Sequence, residues 1–140
     1  MASVVAYTGL APQIVEIETD ADATAFVAGD LVSTSSGTLV AASTGAILGI
    51  AKKSAITGTD DVVIPVELIN LNEIYVMKYS TVTAESIIGT GGAITFTLSA
   101  HTVTTSGTDV YIVGLHPEDA VGLSGGRVLV RFDNSVVEGV

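Results

Sequence analysis

The chain contains no cysteine and no tryptophan, and only 14% of its 140 residues are charged. Without cysteine a disulfide framework is excluded, so the fold must rest on its core or on partner subunits. Without tryptophan it lacks the side chain most used as a sugar-stacking platform, which weighs against a carbohydrate-binding module. Basic residues are scarcer still: Lys52, Lys53, Lys78, Arg127 and Arg131 are set against 15 acidic residues, for a formal charge of −10. Nucleic acid is thereby excluded as an expected partner, because phosphate recognition needs clustered Lys and Arg. Uninterrupted apolar runs are also missing. The stretches 31–51 and 86–108 are long enough to span a bilayer, but runs of Ser, Thr and Gly such as Ser33-Thr34-Ser35-Ser36-Gly37-Thr38 break them. A membrane helix does not carry such runs without partners. No basic, apolar leader opens the chain, so residence in a cytoplasm is the default expectation.

What remains is apolar, branched and rich in glycine. Hydrophobic residues make up 48% of the chain, aromatics only 5%, and there are 15 glycines. Val, Ile and Thr are stiff at χ1 and suit a pleated surface, while Gly serves turns, so the class expected is all-β. A chain of this length buries roughly 70% of the surface exposed when unfolded, enough for one domain core. A pattern occurs twice. Ile47-Leu48-Gly49-Ile50 precedes the alternating run Val62-Val63-Ile64-Pro65-Val66, and Ile112-Val113-Gly114-Leu115 precedes Val128-Leu129-Val130-Arg131-Phe132. Each copy reads as a strand with an internal glycine, a polar loop and an alternating strand, the makings of a small Gly-rich barrel or sandwich.

Residues 1–13 read as an extended arm broken by Gly9 and Pro12, ahead of a single β-domain over 14–140. Pro65 cannot donate to a ladder, so its strand is expected at an edge or a bulge. Gly89-Thr90-Gly91-Gly92 reads as a loop, and Ala84-Glu85-Ser86-Ile87-Ile88 fits a strand or one helical turn equally; at most one short helical turn is expected in the domain, and His116-Pro117-Glu118-Asp119-Ala120-Val121, with proline at the first position and acids behind it, suits one.

Chemistry is hard to find in this sequence. Gly122-Leu123-Ser124-Gly125-Gly126 matches the nucleophile-elbow string, but a strand follows where a helix is needed and no histidine lies downstream. His101 and His116 lack ligand spacing, and Asp20, Asp22, Asp60 and Asp61 lack the spacing of a calcium loop. No catalytic residue, metal site, cofactor or small-molecule substrate is expected. Two surface features stand out instead. Arg127 and Arg131 flank Leu129 on the outward face of the last strong strand, a basic strip suited to an acidic partner surface and explained equally well as two solvated charges. Tyr75, Met77 and Tyr79 share one face of another strand; Tyr and Met are enriched at subunit interfaces, and a second core face explains them equally well.

The succession Ala28-Gly29-Asp30-Leu31-Val32, Gly45-Ala46-Ile47-Leu48-Gly49-Ile50-Ala51, then Thr57-Gly58 and a Val-rich strand resembles the capsid decoration proteins of tailed bacteriophages. Those cement proteins are similarly small, acidic and cysteine-free, with an arm before a β-domain. The resemblance implies a structural virion protein on the outer capsid surface, made in the host cytoplasm and bridging capsomers of the major capsid protein as a homotrimer. Under that reading the capsid-contact candidates are Tyr7, Leu10, Pro12, Arg127, Leu129 and Arg131, and the subunit-interface candidates are Tyr75, Met77 and Tyr79. A phage tail or fibre component, or a carbohydrate- or receptor-binding β-module, is the alternative.

Overall fold

Period-two alternation of branched residues with Thr, Ser and charged residues sets the strands of this chain. The computed structural model describes residues 4–19, 25–43, 46–55, 62–96 and 101–138. The strands are β1 (Val5–Ala6), β2 (Ile14–Glu18), β3 (Leu31–Ser35), β4 (Thr38–Ala41), β5 (Gly49–Ala51), β6 (Val63–Leu68), β7 (Tyr75–Tyr79), β8 (Gly91–Thr95), β9 (Thr102–Thr105), β10 (Val110–Leu115) and β11 (Arg127–Phe132). The class is all-β, as expected. Among the described residues, helical geometry is confined to single 3₁₀ turns at Glu85–Ile87 and Asn134–Val136. The helical turn expected from His116 onward is instead a hydrogen-bonded turn, Asp119 N–H donating to the His116 carbonyl at 3.1 Å.

The strands form two sheets of one design. In the first the order is β2-β6-β5-β3-β4, and β4 comes back beside β2 in parallel at Thr19 and Leu39. In the second the order is β7-β11-β10-β8-β9, and β9 pairs in parallel with β7, closing a five-stranded barrel to which β1 adds a further strand. Registers coincide pair for pair. Val15–Val66 and Ile17–Ile64 in the first unit match Tyr75–Val130 and Met77–Val128 in the second. Thr19–Leu39 likewise matches Tyr79–Val103, the parallel closure of each unit. Even the loops agree: Phe26 bridges Ala55 as Val82 bridges Ser124. The fold is a tandem pair of equivalent five-stranded units.

The repeat read in the sequence falls on the matching strand pairs β5–β6 and β10–β11, but its glycines do not correspond. Gly49 pairs with Leu68, the position that Val110 holds opposite Phe132, whereas Gly114 follows a register shift in β10 and pairs with Leu129. Their reasons differ too. A Cβ at Gly49 would lie 2.2 Å from the Glu67 carbonyl oxygen, while at Gly114 it would meet only Leu129 Cδ1 at 3.7 Å. Gly91 and Gly92, expected in a loop, begin β8. They are there because a Cβ at Gly91 would lie 2.2 Å from the Gly107 carbonyl oxygen. Pro65 is also placed differently from expectation, since β6 lies between β2 and β5 and is not an edge. Its carbonyl accepts from Lys52 N–H at 2.9 Å, just past the last β5 pair, so the missing Pro65 N–H points where that ladder has ended.

Two apolar clusters follow from this arrangement. The first unit encloses Phe26, Val32, Leu39, Ala51, Ile64 and Val66. The second encloses Tyr75, Met77, Val103, Val110, Ile112, Val128, Val130 and Phe132, and its cluster continues into Leu31, Ile47 and Ile50 of the first unit. That shared core joins the units. The chain end seals the junction: Ile47 N–H donates to Val136 O and Glu138 N–H to Ile47 O, both at 2.7 Å.

His101 lies at the same junction. Its Nε2 accepts from Leu31 N–H at 3.2 Å and sits 3.6 Å from Asp30 Oδ1, while the Phe96 ring meets it edge-on. Burial pushes the imidazole pKa below its ordinary value, partly opposed by the Asp30 charge. A base with a depressed folded pKa leaves the unfolded chain binding more protons, so stability falls as pH drops through the unfolded value near 6.5. Urea midpoints measured at pH 7.5 and 5.5 are expected to differ, and His101→Gln, which keeps an acceptor for Leu31, to reduce that difference.

Candidate docking surface

Alternation along β7 turns Tyr75, Met77 and Tyr79 into the barrel, each only 1% exposed. The Tyr75 ring packs edge-on against Phe132 at 5.2 Å and its hydroxyl accepts from Asn70 N–H. These three residues therefore cannot form the subunit interface expected of them. They are the second core face, because a closed barrel buries the inner side of every strand. The same alternation sends Ile74, Val76 and Lys78 outward. On β11, Arg127, Leu129 and Arg131 face outward, as the sequence pattern requires.

Strand pairing assembles these residues into rows across the outer face. Val5 pairs with Val76, and Val76 with Leu129, giving an apolar row. On one side Lys78 stands opposite Arg127; on the other Arg131 stands opposite Tyr111, which is 51% exposed. Three of the five basic residues of the chain thus surround one apolar row. Spacing along one strand does not show Lys78 as part of this face. Its place beside Arg127 depends on the β7–β11 register.

Electrostatics separates the three cations. Arg127 is held by Asp119: Nε to Oδ2 at 3.0 Å and Nη2 to Oδ1 at 2.8 Å, with the Arg127 N–H also donating to Oδ2. These bonds draw the Asp119 carboxyl down to about 2, so Arg127 arrives already neutralised. Lys78 and Arg131 have no ion pair among the described residues. In a chain with 15 acidic residues, two such cations on one face are available to an outside partner.

The N-terminal arm borders this face. Between β1 and the β10–β11 loop lies a cleft of about 640 Å³ lined by Val5, Tyr7, Val76, Lys78, His116 and Leu123 among others. Tyr7 is 45% exposed and meets the His116 ring edge-on at 5.9 Å. Leu10 and Pro12 are exposed but line a separate cleft with Leu68, Ile69 and Leu71. The described part of the arm is fastened to its own chain. Val4 is buried, β1 pairs with β7, and the Glu73 carboxylate accepts from Thr8 N–H, Thr8 Oγ1, Leu10 N–H and Ile74 N–H.

Among the described residues there is no group of three or more His, Asp or Glu side chains able to hold a metal ion, and no helix long and apolar enough to cross a membrane. Ser124 sits in a turn before β11 and bridges Val82. The acidic candidates Asp20, Asp22, Asp60 and Asp61 lie outside the described residues. No protein-family model, no curated protein and no solved structure matches the chain.

Proposed function

We propose that this protein is a structural virion component that binds the outer surface of a tailed-phage capsid and stabilises the shell by bridging capsomers. One observation carries the reading: in a chain of net charge −10, Lys78 and Arg131, without an ion pair among the described residues, stand on either side of the Val5–Val76–Leu129 row. An apolar strip rimmed by cations fits an acidic protein surface, with the row supplying burial and the cations supplying orientation. The partner is the major capsid protein, and Tyr7 extends the contact from the arm. Stabilisation follows by mass action. A ligand bound only to the assembled shell adds RT ln(1 + [L]/Kd), about 2.7 kcal/mol per site at a hundredfold excess over Kd.

As a homotrimer the protein would present three such faces at once, and the gain would come from effective concentration. Light scattering on the purified chain measures that state, and a monomer at all concentrations removes the preassembled trimer. The binding test uses shells lacking the protein, mixed with the full chain and sedimented. The wild type is expected to co-sediment and to raise the shell's melting temperature. The double variant Lys78→Glu/Arg131→Glu, folded by circular dichroism, is expected to lose binding by at least about a hundredfold, from two like-charge contacts at several kcal/mol in total. Equal binding by both proteins would overturn the assignment of this face.

A further inference from the structure

The equivalence of the two units exposes an edge that is covered in one and, among the described residues, has no strand beside it in the other. On β7, Val5 pairs with Val76 and Tyr7 N–H donates to the Ile74 carbonyl at 2.7 Å, so β1 covers the edge ahead of the parallel closure. The counterparts of Ile74 and Val76 in the first unit are Ile14 and Glu16, by the matched β2–β6 and β7–β11 registers. Gln13 O accepts from Leu68 N–H and Thr19 N–H donates to Val62 O, so the odd-numbered residues of β2 address β6. Ile14 and Glu16 therefore turn their backbone N–H and C=O groups to the other side. There the described residues place no strand: β4 reaches β2 only at Thr19–Leu39.

We infer that the Ile14–Glu16 edge of β2 is a docking site for an extended strand of a partner protein carrying a basic residue opposite Glu16. An unpaired edge is a ready template for strand addition, and the second unit shows this very edge filled. The occupant's character follows from transferring the β1 register. The residue in the place of Val5 stands opposite Glu16, that of Ala6 opposite Val15, and that of Tyr7 opposite Ile14. Glu16 and Glu18 are exposed and belong to no ion pair among the described residues, which calls for Lys or Arg at the first of those places. Ile14 is 52% exposed, which calls for a bulky apolar or aromatic residue at the third. The acidic pair also disfavours antiparallel pairing of β2 with β2 of a second copy, which would bring like charges together.

The probe is a peptide copying residues 4–10 with lysine in place of Val5, titrated into the isotope-labelled full-length chain and followed by amide NMR. The amides of Ile14, Val15 and Glu16 are expected to shift and saturate. In Glu16→Lys the affinity should fall about tenfold, the change from an attractive to a repulsive cross-strand pair. In Glu16→Pro the N–H offered to the partner is removed without touching the β6 ladder, so binding is expected to vanish with the remaining spectrum unchanged. Shifts at Val76 in place of Glu16, or no saturable shift at β2, would overturn the site. Equal or tighter binding of the unmodified arm peptide would overturn the basic partner and assign the edge to the arm of a second copy.

Discussion

Replacing Glu73 with alanine detaches the N-terminal arm from the barrel. Glu73 is 2% exposed, and its carboxylate gathers donors from Thr8, Leu10 and Ile74. Burial by itself would raise its pKa, but the Thr8 hydroxyl and the Leu10, Thr8 and Ile74 amides outweigh it and hold the carboxyl below its ordinary value of 4.5. A hydrogen bond to a charged group contributes about 1.5–3 kcal/mol, and these bonds share one acceptor group, so about 3 kcal/mol is expected for the whole latch. Hydrogen exchange should then show the amides of Val5, Tyr7, Thr8 and Leu10 losing protection while the β10–β11 ladder keeps its own. Full protection of the arm in the alanine variant would show that β1–β7 pairing suffices without the carboxylate. The pH dependence has a definite sign. A depressed carboxylate stabilises the native state above the unfolded pKa and loses that contribution as pH falls through the folded value, so the wild-type arm loosens below about pH 4.5 while the alanine variant shows no such step. With the arm released, Tyr7 and Val5 leave the proposed shell-contact face, and shell binding should weaken in step with the exchange data.

The second large effect separates two glycines that look alike in sequence. Gly49→Ala places a methyl group where 2.2 Å separates it from the Glu67 carbonyl oxygen and 2.8 Å from Val66 Cγ1. Backbone cannot yield as a flexible side chain can, so β5 and β6 must part; a cost of about 3 kcal/mol, the upper part of the usual overpacking range, is expected. Gly114→Ala meets only Leu129 Cδ1 at 3.7 Å, an ordinary contact, and should be within about 0.5 kcal/mol of wild type. Urea unfolding of the two single variants measures the contrast directly. Equal costs would mean that the glycines play the same role, and that the register assigned to β10 is wrong.

Much of the fold is written locally. The alternation of Glu73–Tyr79 told which side chains share a face, and Val128, Val130 and Phe132 turned inward as their period demands. Those are consequences of a strand's two-residue repeat, which needs no neighbour to be read. The outward placement of Arg127, Leu129 and Arg131 came the same way. Which face of β7 is core was not legible, because Tyr75, Met77 and Tyr79 suit an interior and an interface equally; closure of the barrel through the Lys78–Thr102 and Tyr79–Val103 pairs decided it. The helical turn expected at His116 failed because Glu118 N–H is taken by His116 Nδ1 and the Asp119 carboxylate is tied to Arg127 at the start of β11. Proline and acids at a helix start count for little against that constraint.

By itself the amino-acid sequence determined an all-β chain, free of disulfides, acidic, with two related strand pairs and an outward Arg127–Leu129–Arg131 strip, since these follow from composition and from spacing along one strand. The tertiary structure alone decided that the repeat is a tandem of five-stranded units, that Lys78 joins the basic face while Arg127 is neutralised by Asp119, that Glu73 latches the arm, and that no described strand covers the Ile14–Glu16 edge of β2. Each of those depends on which residues lie opposite one another across strands far apart in the chain, and pairing between distant strands is a property of the assembled sheet.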